Sequence, residues 1–150
     1  CDCKWVVVDH LHMLVSSVTE GDERRAIDNI MTRLRSLVEE TGAGVILVSH
    51  LRRVQGDKGH ENGVSVSLSH LRGSNAIAQL SDCVIALERD QQSEDELESR
   101  TTRLRVLKSR YTGDVGMATA LVYDKDTGRL SEYSDHELLN SSTEDLSVPF

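Results

Sequence analysis

The sequence predicts an α/β fold built on a mostly parallel sheet, and three observations carry that prediction. The run Trp5-Val6-Val7-Val8 is apolar throughout and ends in Asp9, as a strand buried on both faces does. Residues 45–48, Val-Ile-Leu-Val, form a second such run and end in Ser49-His50. Between them, residues 22–40 place Ala26, Ile27, Ile30, Met31, Leu34, Leu37 and Val38 at helical spacing, with charges in the intervening positions. A strand, a crossover helix and a second strand make a right-handed βαβ unit.

The remaining elements follow in order. Residues 10–18 read as a loop or a short irregular element. Gly42 and Gly44 end the long helix. Residues 51–66 are polar and basic, with Gly56, Gly59 and Gly63, and read as a mobile surface loop. A short helix is predicted over 74–80 and a third strand over 83–87. Residues 90–99 are acidic and are expected to be disordered. Two more strands, 103–107 and 117–123, flank the segment Lys108-Ser109-Arg110-Tyr111-Thr112-Gly113. Asp124-Lys125-Asp126-Thr127-Gly128 is a turn signal, and Leu130 begins a last short strand. No internal repeat is visible, and residues 134–150 show no periodicity.

Length and charge bound the function. A chain of 150 residues is one domain or a large piece of one. The net charge of −8 argues against nucleic-acid binding by the whole surface and leaves room for a local basic loop. Residues 134–150 hold Asp135, Glu137, Glu144 and Asp145 with no Lys or Arg, and read as a flexible acidic tail ending in Phe150. The body, residues 1–133, is the expected folded core. Cys1, Cys3 and Cys83 have no zinc-like spacing and read as free thiols in a reducing compartment. With no secretion signal and no membrane-spanning run, the expected location is the cytoplasm. The chain starts with Cys and opens almost directly into a core strand, so it reads as the C-terminal part of a longer polypeptide.

The candidate chemistry sits at strand ends and turns. Asp9 and His50 end neighbouring strands at the edge where open α/β sheets bind ligands. A carboxylate there suits a nucleotide-bound Mg²⁺, usually through water. A histidine there suits hydrogen bonding to a γ-phosphate. Taken singly, each reads equally as a turn cap or a satisfied histidine. Arg52, Arg53 and Lys58 on the Gly-rich loop suit a single-stranded DNA backbone, although no aromatic accompanies them for stacking. Arg72 opens the next helix, and Gln79 near its end suits a phosphate or phosphodiester. Lys108 and Arg110 at a strand end suit a polyanion such as a triphosphate. Alone, that turn reads as a hairpin with solvated charges. No phosphate-binding G-x-x-x-x-G-K-[ST] loop occurs, so a phosphate cradle and a general base are expected upstream of Cys1.

The order of these motifs resembles the ring-forming replicative helicases of the DnaB-like family, within the RecA-like P-loop NTPase fold, and in particular its branch in T-seven-like phage primase-helicases. Val-Val-Val-Asp-His (6–10) is similar to the family's Walker B strand. Asp-Glu-Arg-Arg (22–25) and the segment 27–34 are similar to the helix that follows. Val-Ile-Leu-Val-Ser-His-Leu (45–51) is similar to the phosphate-sensor strand. Segments 71–82 and 84–92 are similar to the fourth helicase motif, with Ala78 where the related phage protein carries a basic residue. Leu-Lys-Ser-Arg-Tyr-Thr-Gly-Asp-Val-Gly (107–116) is similar to the arginine-finger segment.

The resemblance implies the C-terminal portion of a RecA-like domain, with the Walker A half outside this chain. It implies a nucleoside triphosphate (ATP or dTTP) with Mg²⁺ held through Asp9, and His50 sensing the γ-phosphate. Gln79 would couple nucleotide state to DNA. Arg110 would be an arginine finger reaching a neighbouring subunit of a hexamer or heptamer, with Lys108 supporting it. Arg52, Arg53, Lys58 and Arg72 would face single-stranded DNA. The acidic tail with Phe150 is similar to tails that dock on a replicative DNA polymerase in the phage-infected host. Two other readings share part of the pattern: a RecA- or KaiC-like ATPase that does not unwind, and a non-catalytic remnant that binds DNA or a polymerase.

Overall fold

The computed structural model describes residues 3–16, 22–53, 59–73 and 75–133. The first strand, β1 (Trp5–Val8), pairs in parallel with β2 (Gly44–Leu47), with Val8 opposite Leu47. The crossover between them is α1 (Glu23–Thr41). Its apolar stripe turns Ile27 and Met31 fully inward. Leu37, which shares the stripe in sequence, lies at its margin and stays exposed. Gly42 ends the helix in the left-handed region (φ 69°), with its amide on the Val38 carbonyl at 2.9 Å, a conformation that costs Gly little.

The segment after β1 is more ordered than a loop. Leu11–Val15 forms a 3₁₀ turn whose Leu11 and Val15 are buried. These two residues, with Ile27, Met31 and Ile77, are the core. Ile77 comes from α2 (Asn75–Leu80), which packs across α1.

The second half is a four-stranded sheet in the order β3 (Cys83–Glu88), β4 (Thr101–Ser109), β5 (Gly116–Tyr123), β6 (Leu130–Glu132). All three pairings are antiparallel. The expected mostly parallel sheet is therefore corrected: among the described residues only β1 and β2 run parallel. For two of the three pairings the reason lies in the connections. The links 110–115 and 124–129 are hairpin-length, whereas a parallel crossover takes a dozen or more residues; the β3–β4 link, 89–100, is long enough for either direction.

Two further expectations change. The acidic stretch 90–99 is not disordered. It contains α3 (Glu96–Arg100), whose first turn is capped by the Asp95 carboxylate accepting the Glu98 amide at 2.9 Å. The Glu98 side chain accepts from Arg103 of β4 at 2.7 Å, which ties the segment to the sheet. The first strand is not buried on both faces either, since Trp5 and Val7 are about two-thirds exposed at 65% and 66%. Among the described residues, β2 has a partner on one edge and β3 on one edge. A cleft lined by Trp5, Met31, Val45, Leu47, Leu80 and Cys83 lies where these strands come near one another.

Ile27 is 0% exposed and central to the core. Ile27→Ala should lower the unfolding free energy by about 2–5 kcal/mol, read by urea denaturation. A change near zero would place the core elsewhere.

Candidate functional site

Polar side chains gather at three places. The first is the carboxyl end of the parallel pair. The β1–β2 register brings Asp9 and His50 to the same edge. Asp9 is exposed, and its carboxylate makes no hydrogen bond or ion pair among the described residues, so its oxygens remain available to a cation. The His50 ring lies 3.9 Å (centroids) from the His10 ring and stacks on His12 at 5.4 Å and 14°. His12 is only 8% exposed. Its burial, helped by the positive charge of Arg72 and by His50, pushes its pKa below the usual imidazole value.

The second gathering lies at the end of α2. Lys108 Nζ donates to the carbonyls of Ala78 (2.7 Å), Gln79 (3.1 Å) and Ser81 (2.8 Å). A cation there meets the last carbonyls of the helix, which carry partial negative charge. Arg110 donates to the Gln79 carbonyl at 3.1 Å and pairs with Asp82 at 2.9 Å. Asp82 also accepts both of its bonds from Arg35 of α1, at 3.0 and 2.9 Å. The backbone repeats the link, with the Arg110 amide on the Asp82 carbonyl at 2.8 Å. Gln79, a separate candidate in sequence, thus joins the Lys108 and Arg110 pair in one cluster through its backbone carbonyl. The Gln79 side chain itself is exposed beside Arg24, Asp28 and Asn75.

The third is the base of the basic loop. Leu51 and Leu71 form an antiparallel bridge, with the Arg52 amide on the His70 carbonyl (2.9 Å) and the Arg72 amide on the His50 carbonyl (3.1 Å). Arg52 and Arg53 therefore leave the bridge on one side, opposite His70, and Arg72 on the other, opposite His50, a few residues beyond the end of β2. Arg52 and Arg53 are exposed and unpaired among the described residues, while Arg72 lies 3.7 Å from Glu23. Gly73 adopts φ +104°, and a Cβ there would run into the end of Ile27, so only a glycine lets this segment cross α1 so closely. Lys58, Phe150 and the acidic tail lie outside the described residues.

Sequence reasoning missed four participants. His10 and His12 flank the Asp9 edge, and the His-x-His spacing was the available signal. Asp82 lies between the predicted helix 74–80 and the predicted strand 83–87, and its partner Arg35 is 47 positions away. Glu88 is buried at 5% exposure, accepting the Val66 amide at 2.7 Å and Arg105 at 2.9 Å. A buried carboxylate is tolerated when so paired, and this one pins the far end of the basic loop to the sheet.

A parallel strand pair with a crossover helix places this chain among α/β proteins, and the carboxyl ends of such strands are where open α/β sheets carry their sites. The chain belongs to the DnaB-like helicase C terminal domain family, which matches residues 1–132. It is 42% identical over 132 residues to the DNA helicase/primase of Enterobacteria phage T3, an alignment that covers 88% of this chain and 23% of that relative. The chain thus spans about a quarter of the length of that relative. Among the described residues no helix is long and apolar enough to cross a membrane.

Asp82 is shared by Arg35 and Arg110 and is partly exposed. Asp82→Ala should therefore lower stability by about 1–2 kcal/mol in denaturant titrations, more than an isolated surface pair contributes. A loss no larger than that of Glu39→Ala, which removes only the single exposed Arg35 partner on α1, would contradict the shared role.

Proposed function

We infer that this chain is the C-terminal part of the motor domain of a ring-forming replicative DNA helicase, with residues 1–133 as core and 134–150 as an acidic tail. The observation that carries the reading is the convergence of Asp9 and His50 at one edge of a parallel strand pair in a chain of the DnaB-like family. The partners of this edge are a nucleoside triphosphate (ATP or dTTP) and Mg²⁺. Asp9 fits the metal, being an exposed, unpaired, hard oxygen donor. Mg²⁺ would supply charge neutralisation between the phosphates. His50 donates to the γ-phosphate, and the loop that begins two residues later moves with it.

Arg110 and Lys108 form a cluster of their own, and no hydrogen bond or ion pair links that cluster to Asp9 or His50 among the described residues. That separation favours a finger acting on the neighbouring subunit of a hexamer or heptamer. The ion pair with Asp82 is 40% and 29% exposed, so screening leaves it worth no more than about 1 kcal/mol. A triphosphate is a stronger partner for the guanidinium. Gln79, whose carbonyl holds both Lys108 and Arg110, couples the finger to α2. Arg52, Arg53, Lys58 and Arg72 contact single-stranded DNA through its phosphates. The tail with Phe150 docks on a replicative DNA polymerase in the cytoplasm of the infected host. A core strand supplied from upstream would pair with the free edges of β2 and β3 and join the two sheets.

Two experiments on the full-length protein test this reading. Arg110→Ala should abolish DNA-stimulated nucleotide hydrolysis, by about 10³-fold or more, and leave nucleotide binding within a few-fold of wild type. Mixed wild-type and variant rings should lose activity faster than in proportion. Near-normal hydrolysis would reduce the turn to an ordinary hairpin and leave a binding module. Arg52→Ala with Arg53→Ala should weaken single-stranded DNA binding for all sequences alike and flatten its salt dependence by about 0.7 per lost phosphate contact. An unchanged slope would remove these residues from the DNA path.

A further inference from the structure

Three imidazoles meet at the nucleotide-facing edge, and triphosphate sensing uses only one of them. His10 follows Asp9, His12 lies in the 3₁₀ turn, and His50 ends the segment after β2. One ring nitrogen from each can be chosen so that all three lie within 4.8 Å of one another. His12 is more than nine-tenths buried, and neither of its ring nitrogens makes a well-formed hydrogen bond among the described residues, the Arg72 backbone offering only a weaker contact. Nδ1 of His10 is likewise buried and unpartnered. Buried polar nitrogens are normally satisfied, so orphans gathered this closely call for a ligand.

We propose that His10, His12 and His50 form a binding site for a borderline transition-metal dication of the Zn²⁺ class. Imidazole is the donor such ions prefer, whereas Mg²⁺ takes oxygen, so this site is chemically distinct from that of the nucleotide's metal. At Zn–N distances of about 2.0–2.1 Å, tetrahedral ligands stand about 3.4 Å apart. From separations of up to 4.8 Å the ligand atoms must close by up to about 1.4 Å, through rotation of all three side chains about their χ angles. Three protein ligands leave a fourth position for water or a phosphate oxygen. The nearby positive charge of Arg72 is offset by Glu23 at 3.7 Å. A bound ion would hold the His50 ring on His10 and His12 and keep it from the γ-phosphate. That consequence alone rests on the helicase reading. Zn²⁺ would then inhibit hydrolysis reversibly.

The test uses the full-length protein without a histidine tag, stripped with chelator, and with Cys1, Cys3 and Cys83 changed to Ser, because thiolates would compete for the ion. Co²⁺ serves as the spectroscopic probe and Zn²⁺ as the competitor. The expected result is one site per chain, visible d–d bands of a low-coordinate nitrogen site, and their loss on adding one equivalent of Zn²⁺. His12→Asn, in a protein that keeps its thermal midpoint, should weaken Zn²⁺ binding by about 100-fold. His50→Asn should do the same. Should the His12 variant unfold, nuclear magnetic resonance of the wild-type ring nitrogens decides, since all three rings must shift with Zn²⁺. An aquo-like Co²⁺ spectrum, or Zn²⁺ affinity unchanged in a folded His12→Asn protein, overturns the site whatever the hydrolysis assays give. Tight Zn²⁺ binding without inhibition would keep the site and count against His50 as the phosphate sensor.

Discussion

Asp82 holds the two halves of the molecule in register. Its carboxylate takes both bonds from Arg35 on the crossover helix and pairs with Arg110 at the head of the β4–β5 hairpin. Its carbonyl takes the Arg110 amide. One acidic residue between α2 and β3 thus joins the parallel βαβ unit to the antiparallel sheet. The guanidinium of Arg35 also pairs with Glu39, which holds it over the helix surface where Asp82 can reach it. Lys108 completes the joint by covering the last carbonyls of α2, so the short helix is fixed at its end by a cation from the other sheet.

This joint explains why the candidate residues fall into separate groups. Asp9 and His50 belong to the βαβ unit and face the carboxyl edge of its strands. Arg110 and Lys108 belong to the hairpin and are anchored at α2. In the isolated chain Arg110 rests on a carboxylate that is itself shared with Arg35. A guanidinium held by a screened, shared partner is restrained enough to be aimed and loosely enough to be recruited by a stronger anion. The basic loop connects to the first group instead. The segment that contains it is closed by the Leu51–Leu71 bridge, directly after His50, so a change at His50 has a short backbone path to Arg52 and Arg72.

The parts legible in the sequence were those with a strong period or an uninterrupted run. Both parallel strands, α1 and its Gly42 terminator lie within a residue or two of expectation, because the apolar stripe and the apolar runs have no competing signal. The direction of the later strands was misread because Val- and Leu-rich runs look alike in either kind of sheet; the six-residue links give away β4, β5 and β6, but the twelve-residue link between β3 and β4 fits either direction. The α3 segment was hidden by its acid content, although Asp95 and Glu98 spell out a helix start. Leu11–Val15 is too short for periodicity to report, yet it supplies two core residues. At the site, Asp9 and His50 were visible as polar ends of apolar runs. His12 was not, because its role exists only once the fold stacks it against His50. Asp82 is invisible for the same reason: its partners come from distant parts of the chain.

The most direct test of the account is the structure of the full-length protein with single-stranded DNA, Mg²⁺ and a non-hydrolysable nucleoside triphosphate analogue. The account predicts the triphosphate at the Asp9–His50 edge of one subunit. It places the Arg110 guanidinium of the adjacent subunit off Asp82 and within hydrogen-bond reach of the terminal phosphate. Arg110 still paired with Asp82 at every occupied site, or a nucleotide bound away from Asp9 and His50, would contradict it.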